Sequence, residues 1–417
     1  LILLAQPVKE SLGLTDLQLG LVQGTGIAIF AALATFPIGW LADRIGRRVV
    51  LAGSVLVWSL AVVGCGLAQN FEQLFIASAM VGAGEAGLAP ITYTLIAELF
   101  RGPRRQLANS VFVVAAATGG GLGMMIAGQL VGVVESTHAS FPGSLAALES
   151  WRLTFFVAAL PAPAMMLLVA TIRAAQRVLA STPSGVPAQA GPTLGQHLRR
   201  HRATLIPFYA GVGMVLFSFA AIGAWLAVVL MRQFGQTATQ VGGALGAISI
   251  ASVAVGFVIS AFGLRYFAPR LGSRLQIRTM WTGVLACVCT SFALGFADSA
   301  MHVYALQTFQ GICLTAANML YPTALQDLAP AHLRARVIAI QSTVNVAFAA
   351  MGPPVVGLLS DSMQGRPDAL LTSMSIVATT GLLTAAALLW WCERGYGRTI
   401  EDIAREEAAL VPQPGAA

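Results

Sequence analysis

Charge is scarce in this sequence: Asp, Glu, Lys and Arg make up 10% of 417 residues and 57% are hydrophobic, where a soluble domain carries about 25% charged residues. That balance excludes a water-soluble globular fold and leaves a polytopic membrane protein. Lysine is almost missing, since Lys9 is the only one among 24 basic residues. The arginine bias fits a GC-rich bacterial genome, and so an inner (plasma) membrane. The net charge of +7 falls in short loops between apolar runs and forms no patch, which argues against a nucleic-acid partner. The five cysteines, Cys65, Cys287, Cys289, Cys313 and Cys392, lie in or beside apolar runs, and Cys287 and Cys289 point to different sides of a helix. Free thiols are expected, with neither a disulfide framework nor a metal site. There is no GxxxxGK[ST] loop for an ATP-driven pump, no triad pattern and no soluble catalytic domain, so neither an enzyme nor a cofactor is expected. No signal peptide is visible, and the opening LILLAQPVKESLGL is too short to cross a bilayer, so the first helix reads as cut.

Apolar runs of membrane-crossing length fill the rest. After the stub, which counts as span one, they lie at about 17–41, 49–68, 74–98, 107–134, 152–172, 204–231, 239–263, 277–297, 301–326, 336–360 and 370–392. That makes an all-α membrane protein of twelve helices. It divides into a six-helix bundle over 1–172, a linker over 173–203, a second bundle over 204–392 and a tail over 393–417. The loops after spans two, four, six, eight and ten, with the tail, carry 20 arginines, against Lys9, Arg152, Arg232 and Arg366 on the other side. By the positive-inside rule both termini are cytoplasmic. The halves also repeat: Thr15, Gln18 and Gly20 recur as Thr237, Gln240 and Gly242, and Glu98 precedes Arg105 by the same seven residues that separate Asp327 from Arg334. His197 and His201 share a helical face in the linker, which reads as a solvated basic helix at the lipid surface.

The stretch 71–100 organises the chain, because it spans a bilayer yet places Glu85 near the midplane. An acid at that depth is costly and is normally kept only facing a bundle interior or a wet cavity, where it marks an ion pathway. Gly82, Gly84 and Gly87 let a neighbouring helix or a ligand approach beside it.

The loop after span two reads GWLADRIGRR, from Gly39 through Asp43, Arg44, Gly46 and Arg47 to Arg48. It closely resembles the signature loop of the major facilitator superfamily, at the place where that family carries it. Within the superfamily the chain looks most like the Spinster-like branch, through QPVKESLGLTDLQLGLVQG, VGAGEAGLAP, IAELF before Arg105, WRLTF and LQDLAPAHLRARVIA. The resemblance implies alternating access, with Glu85 as the proton-linked acid. A cytoplasmic gate is expected from Gly39, Asp43, Arg44, Gly46, Arg47, Arg48, Glu98 and Arg105. Two departures stand out: Ser78 occupies the position where relatives carry an arginine, and their helix-one acid would fall about two residues before Leu1. Organic-anion/proton symporters of the superfamily are the alternative branch, and a non-transporting membrane scaffold is the alternative class.

Candidates for the substrate cavity are Ser78, Thr118, Phe217, Trp225, Gln307, Gln310, Asn318, Tyr321 and Asn345. So few charges and so much apolar or weakly polar surface suit an amphipathic, lipid-like or drug-like molecule. The expectation is therefore proton-coupled secondary transport of such a molecule, outward, by a monomer in a lipid bilayer. Gly119–Gly123 resembles the glycine-rich stretch of exporters, though close helix packing explains it equally well.

Overall fold

The structure, a computed structural model, describes residues 1–100, 103–141, 143–171, 193–271, 275–330, 332–363 and 365–410. The side chains of Asp43 and Glu98 and most of the linker, 172–192, lie outside the described residues. Helices account for every regular element among the described residues, and ten are long and apolar enough to cross a membrane. The protein is an integral membrane protein with the fold the apolar runs predict.

Three of the expected spans are broken, and proline explains each break. Span four is Phe71–Glu85 followed by Leu88–Leu99. Pro90 has no N–H for the Ala86 carbonyl, and its ring crowds that carbonyl. Span six is Ser150–Ala159 and Ala162–Thr171, broken four residues ahead of Pro163; span ten is Ala300–Asn318 and Tyr321–Asp327, with Pro322 four residues after Asn318. Span two is continuous from 16 to 45 but widens into a π-helical stretch at Leu21–Gly26. The last helix runs without interruption through residue 393, from Ala369 to Leu410.

The repeated Thr-x-x-Gln strings prove to be helix caps. Gln18 N–H donates to Thr15 Oγ1 at 3.1 Å while Thr15 N–H donates to Gln18 Oε1 at 3.0 Å. Thr237 and Gln240 do the same at 3.2 and 3.0 Å. Each box satisfies orphan donors at the start of an equivalent span.

Burial divides the molecule by depth. Towards the arginine-poor face a single buried core runs through both halves, from Leu19, Leu74 and Trp151 to Trp225, Val228, Val356 and Met374. Towards the arginine-rich face there are two separate cores, one around Val50, Leu51, Ile91 and Leu95, the other around Phe208, Ile277, Leu325 and Tyr396. Among the described residues the halves thus share one buried core at one end and have separate cores at the other.

Two seams join them at the closed end. Spans five and eight cross on glycine: a Cβ at Gly242 would lie 2.6 Å from the Met124 carbonyl oxygen, and one at Gly246 2.5 Å from that of Gly121. Only residues without side chains allow backbones so close. Spans two and eleven cross where Gly20 and Gly24 meet Pro353, and Thr25 Oγ1 donates to Ala350 O at 2.9 Å.

The linker helix, Leu194–Arg200, corrects one expectation. His197 and His201 are 1% and 5% exposed, not solvated. The His197 ring nitrogen Nε2 bonds the Leu328 carbonyl at 3.1 Å, which docks the helix onto the end of span ten.

Candidate translocation site

Glu85 is the last residue of the first helical segment of span four, directly before the break. It is exposed, with the Trp58 side chain beside its carboxylate. Its glycine neighbours serve helix packing: Gly82 lies against the Ile27 carbonyl, and a Cβ at Gly84 would be 2.7 Å from Trp58 N. Ser78, which stands in place of the expected arginine, is buried, and its hydroxyl donates to Val22 O at 2.8 Å. Val22 lies in the π-helical stretch of span two, so Ser78 ties spans two and four together.

Trp58, Ser78, Val62, Val81, Met124 and Phe155 surround the first residues, Leu1 to Leu4, inside the first half. A cavity of about 550 Å³ lies between the halves. On one side of this cavity span five presents Ala117, Gly120, Gly121 and Met124. On the other, spans seven, eight and ten present Phe219, Ser249, Ser252, Gln307, Thr315 and Asn318. The lining is apolar with a band of neutral hydrogen-bonding groups on one wall. Gln307 Oε1 is buried there without a partner, a group that a ligand donor or a water would satisfy.

Of the expected cavity residues, Gln307 and Asn318 therefore line the space between the halves. Gln310 borders a small adjoining niche and donates through Nε2 to Ser291 Oγ at 2.7 Å. Trp225 is fully buried and its indole N–H donates to Pro353 O at 2.9 Å, so it packs the closed end. Phe217 packs against Gly352 and Gly381 of spans eleven and twelve. Thr118 donates to its own helix at Val114 O. Tyr321 and Asn345 meet each other, Asn345 Nδ2 donating to Tyr321 OH at 3.3 Å and its Oδ1 accepting from Gln341 at 2.6 Å, within the second half.

At the arginine-rich face, Gly46 has φ +100° and is the single residue between two helices, a conformation that favours glycine. Gly39 sits inside a helix with open space where a Cβ would be, and nothing here requires glycine. The Arg44 guanidinium stacks 3.9 Å from the centroid of the Trp40 ring. Arg47 and Arg48 begin span three and Arg105 is exposed near the start of span five. The expected partners Asp43 and Glu98 lie outside the described side chains.

The closed face holds a cluster that the sequence reading did not single out. Asp16, 3% exposed, receives Arg232 Nη1 and Nη2 at 3.1 Å each, Lys9 Nζ at 2.5 Å and Ser360 Oγ at 2.8 Å. Asp361 accepts the backbone N–H of Asp16 at 3.0 Å and of Leu17 at 2.8 Å. A signal was available, because Lys9 and Arg232 are two of the four basic residues on a face that otherwise lacks them.

With this geometry in hand, comparison with known proteins places the chain. The profile of the Major Facilitator Superfamily matches residues 1–353. An MFS-type efflux pump of Mycolicibacterium smegmatis is 25% identical over 96% of this chain and 90% of its own length. Protein spinster homolog 1 of Mus musculus is 31% identical over 134 residues, 31% of this chain and 25% of that protein. A solved bacterial homologue of the human lysosomal transporter Spinster, in an inward-facing and occupied conformation, superposes with a TM-score of 0.74 at 20% identity, over 99% of this chain and 94% of that one. The chain belongs to the major facilitator superfamily, with Spinster proteins among its relatives.

Proposed function

We propose that the chain is a proton-coupled secondary transporter that moves an amphipathic or hydrophobic small molecule by alternating access, with Glu85 as its proton carrier. The observation that carries this reading is the place of Glu85: an exposed acid at a proline-made helix break within a membrane span, with the Trp58 side chain beside it. A scaffold has no use for an acid at that depth. The apolar lining with its neutral polar band suits an amphipath, and the similarity to an efflux pump and to Spinster proteins favours an exported lipid-like or drug-like solute. The arginine asymmetry favours a cytoplasmic position for the open end and both termini, which would make this an inward-facing conformation. The expected gate of Asp43, Arg44, Arg47, Arg48, Glu98 and Arg105 would then close the arginine-rich face in the opposite state, by charge-assisted bonds and contact with a helix end of the other half.

A thermal-shift screen of amphipathic and anionic compounds on purified protein, followed by flux in proteoliposomes under an imposed pH gradient, tests the reading. Gradient-dependent flux of an uncharged or zwitterionic amphipath is expected. Preference for small organic anions would favour the symporter alternative. Flux that ignores the gradient would remove the coupling, and no flux for any class would favour a scaffold.

A further inference from the structure

We propose that Asp16 is the pivot of the lock that holds the arginine-poor face shut, and that with Asp361 it sets which face of the protein is open; this rests on the alternating-access reading above. The closed seam between spans two and eleven brings together two acids and two bases. Asp16 and Lys9 come from the first half, and Arg232 and Asp361 from the second. Arg232 grips both oxygens of Asp16 across the seam, in the bidentate geometry that makes such pairs strong and directional. Asp361 answers in the other direction, taking the first backbone donors of span two, which no carbonyl of that helix serves. The two halves therefore hold each other by opposite ends of the same charge set.

Burial makes this lock all-or-none. At 3% exposure Asp16 has almost no water, so its charge depends on its partners, three of whose four hydrogen bonds arrive from the other half. Parting the seam part-way would leave a buried charge uncompensated, which costs more than either the closed pair or the hydrated ions of a fully open face. Packing tightens the coupling: Gly357 of span eleven lies against the Asp16 carbonyl, so the lock and the helix crossing are one contact. The lock is not repeated by the pseudo-symmetry. At the equivalent position of the second capping box stands Ala238, and the seam of spans five and eight is closed by glycine backbones. Charge control of the closed face is concentrated on one side of the molecule.

Thiol accessibility tests this without solute or gradient, so its outcome is independent of whether transport proves proton-coupled. Val356 is fully buried in the seam region, while Cys287 is buried within the second half. In nanodisc-held protein with Cys65, Cys289, Cys313 and Cys392 changed to Ser, the reporter is labelling of Val356→Cys by a membrane-impermeant maleimide. Asp16→Asn is expected to raise its labelling rate roughly tenfold, and Asp361→Asn to move it in the same direction, with Cys287 still protected. Lys9→Gln, which removes one partner from the same half as Asp16, should raise it by less than Asp16→Asn does. An unchanged rate in Asp16→Asn, an equal acceleration by Lys9→Gln, or labelling of Cys287 in step with Val356→Cys would each overturn the proposal.

Discussion

Gly242→Ala offers a sharp test of how the two halves close. An alanine Cβ at 242 would lie 2.6 Å from the Met124 carbonyl oxygen and 2.8 Å from Gly128 Cα, whereas ordinary contact begins at 3.4 Å. Spans five and eight would have to part by roughly 0.8 Å, in a contact between two backbones that cannot rotate away. Overpacking of this kind costs about 1–3 kcal/mol. The cost falls only on the closed seam, whereas the gain of about 1 kcal/mol in helix propensity from Gly to Ala acts in both states and cancels. The ratio of closed to open arginine-poor face should then drop by about 5- to 150-fold. Spin labels at Gln69 and Asp298, exposed on that face in the first and second halves, would report a longer-distance population by pulsed EPR in nanodiscs. Gly243→Ala is the control, because a Cβ there meets nothing within 4 Å. Unchanged distances in Gly242→Ala, or the same change in both variants, would refute the seam as the closing contact.

Other expectations follow from the same geometry. Burial and the neighbouring His201 hold the His197 imidazole below its usual range, against the Leu328 carbonyl and Glu406, which raise it; the undocked linker helix therefore binds more protons, and docking weakens as pH falls below about 6.5. Hydrogen exchange over 194–200 should accelerate between about pH 7.5 and about pH 5.5 beyond the intrinsic rate, and His197→Gln should remove that extra acceleration. Glu393 takes Arg278 Nε at 2.8 Å and Trp281 Nε1 at 2.7 Å, so Glu393→Ala should destabilise the second half by about 1–3 kcal/mol, read as a lower melting temperature with inter-half distances unchanged. Asp43→Asn should raise the population open at the arginine-rich face; distances between labels at Ile45 and Arg336 that match the parent protein under substrate would count against that gate.

Much of the architecture was legible because membrane crossing is a one-dimensional constraint: some twenty apolar residues, then arginine. The helix breaks were legible in principle, since Pro90, Pro163 and Pro322 each stand four residues after the carbonyl they leave free, but an apolar run reads the same whether or not its helix is continuous. The Thr15/Gln18 and Thr237/Gln240 repeat was visible as a pattern, and its cause, a pair of capping boxes, is local chemistry. The inner lining was not legible. In a helix that is apolar all round, Trp225, Phe217 and Gln307 look alike, and only packing separates the two that fill the core from the one that meets the cavity. The Asp16 lock joins residues more than 200 positions apart, so the sequence offers only the oddity of charges on a face that has few. His197 and His201 were read from their own helix, whereas their burial comes from the end of span ten and the extension of the last helix.

The central claim is that Glu85 carries the proton that drives transport. Once a transported solute is in hand, Glu85→Gln should be compared with the parent protein in proteoliposomes, measuring exchange at equal pH and uphill accumulation under an imposed pH gradient in the same preparation. Glutamine keeps the size and a polar carbonyl but cannot exchange a proton, so exchange should persist while gradient-driven accumulation disappears. Uphill transport by Glu85→Gln with the parent's pH dependence would contradict the account and move the coupling to another group.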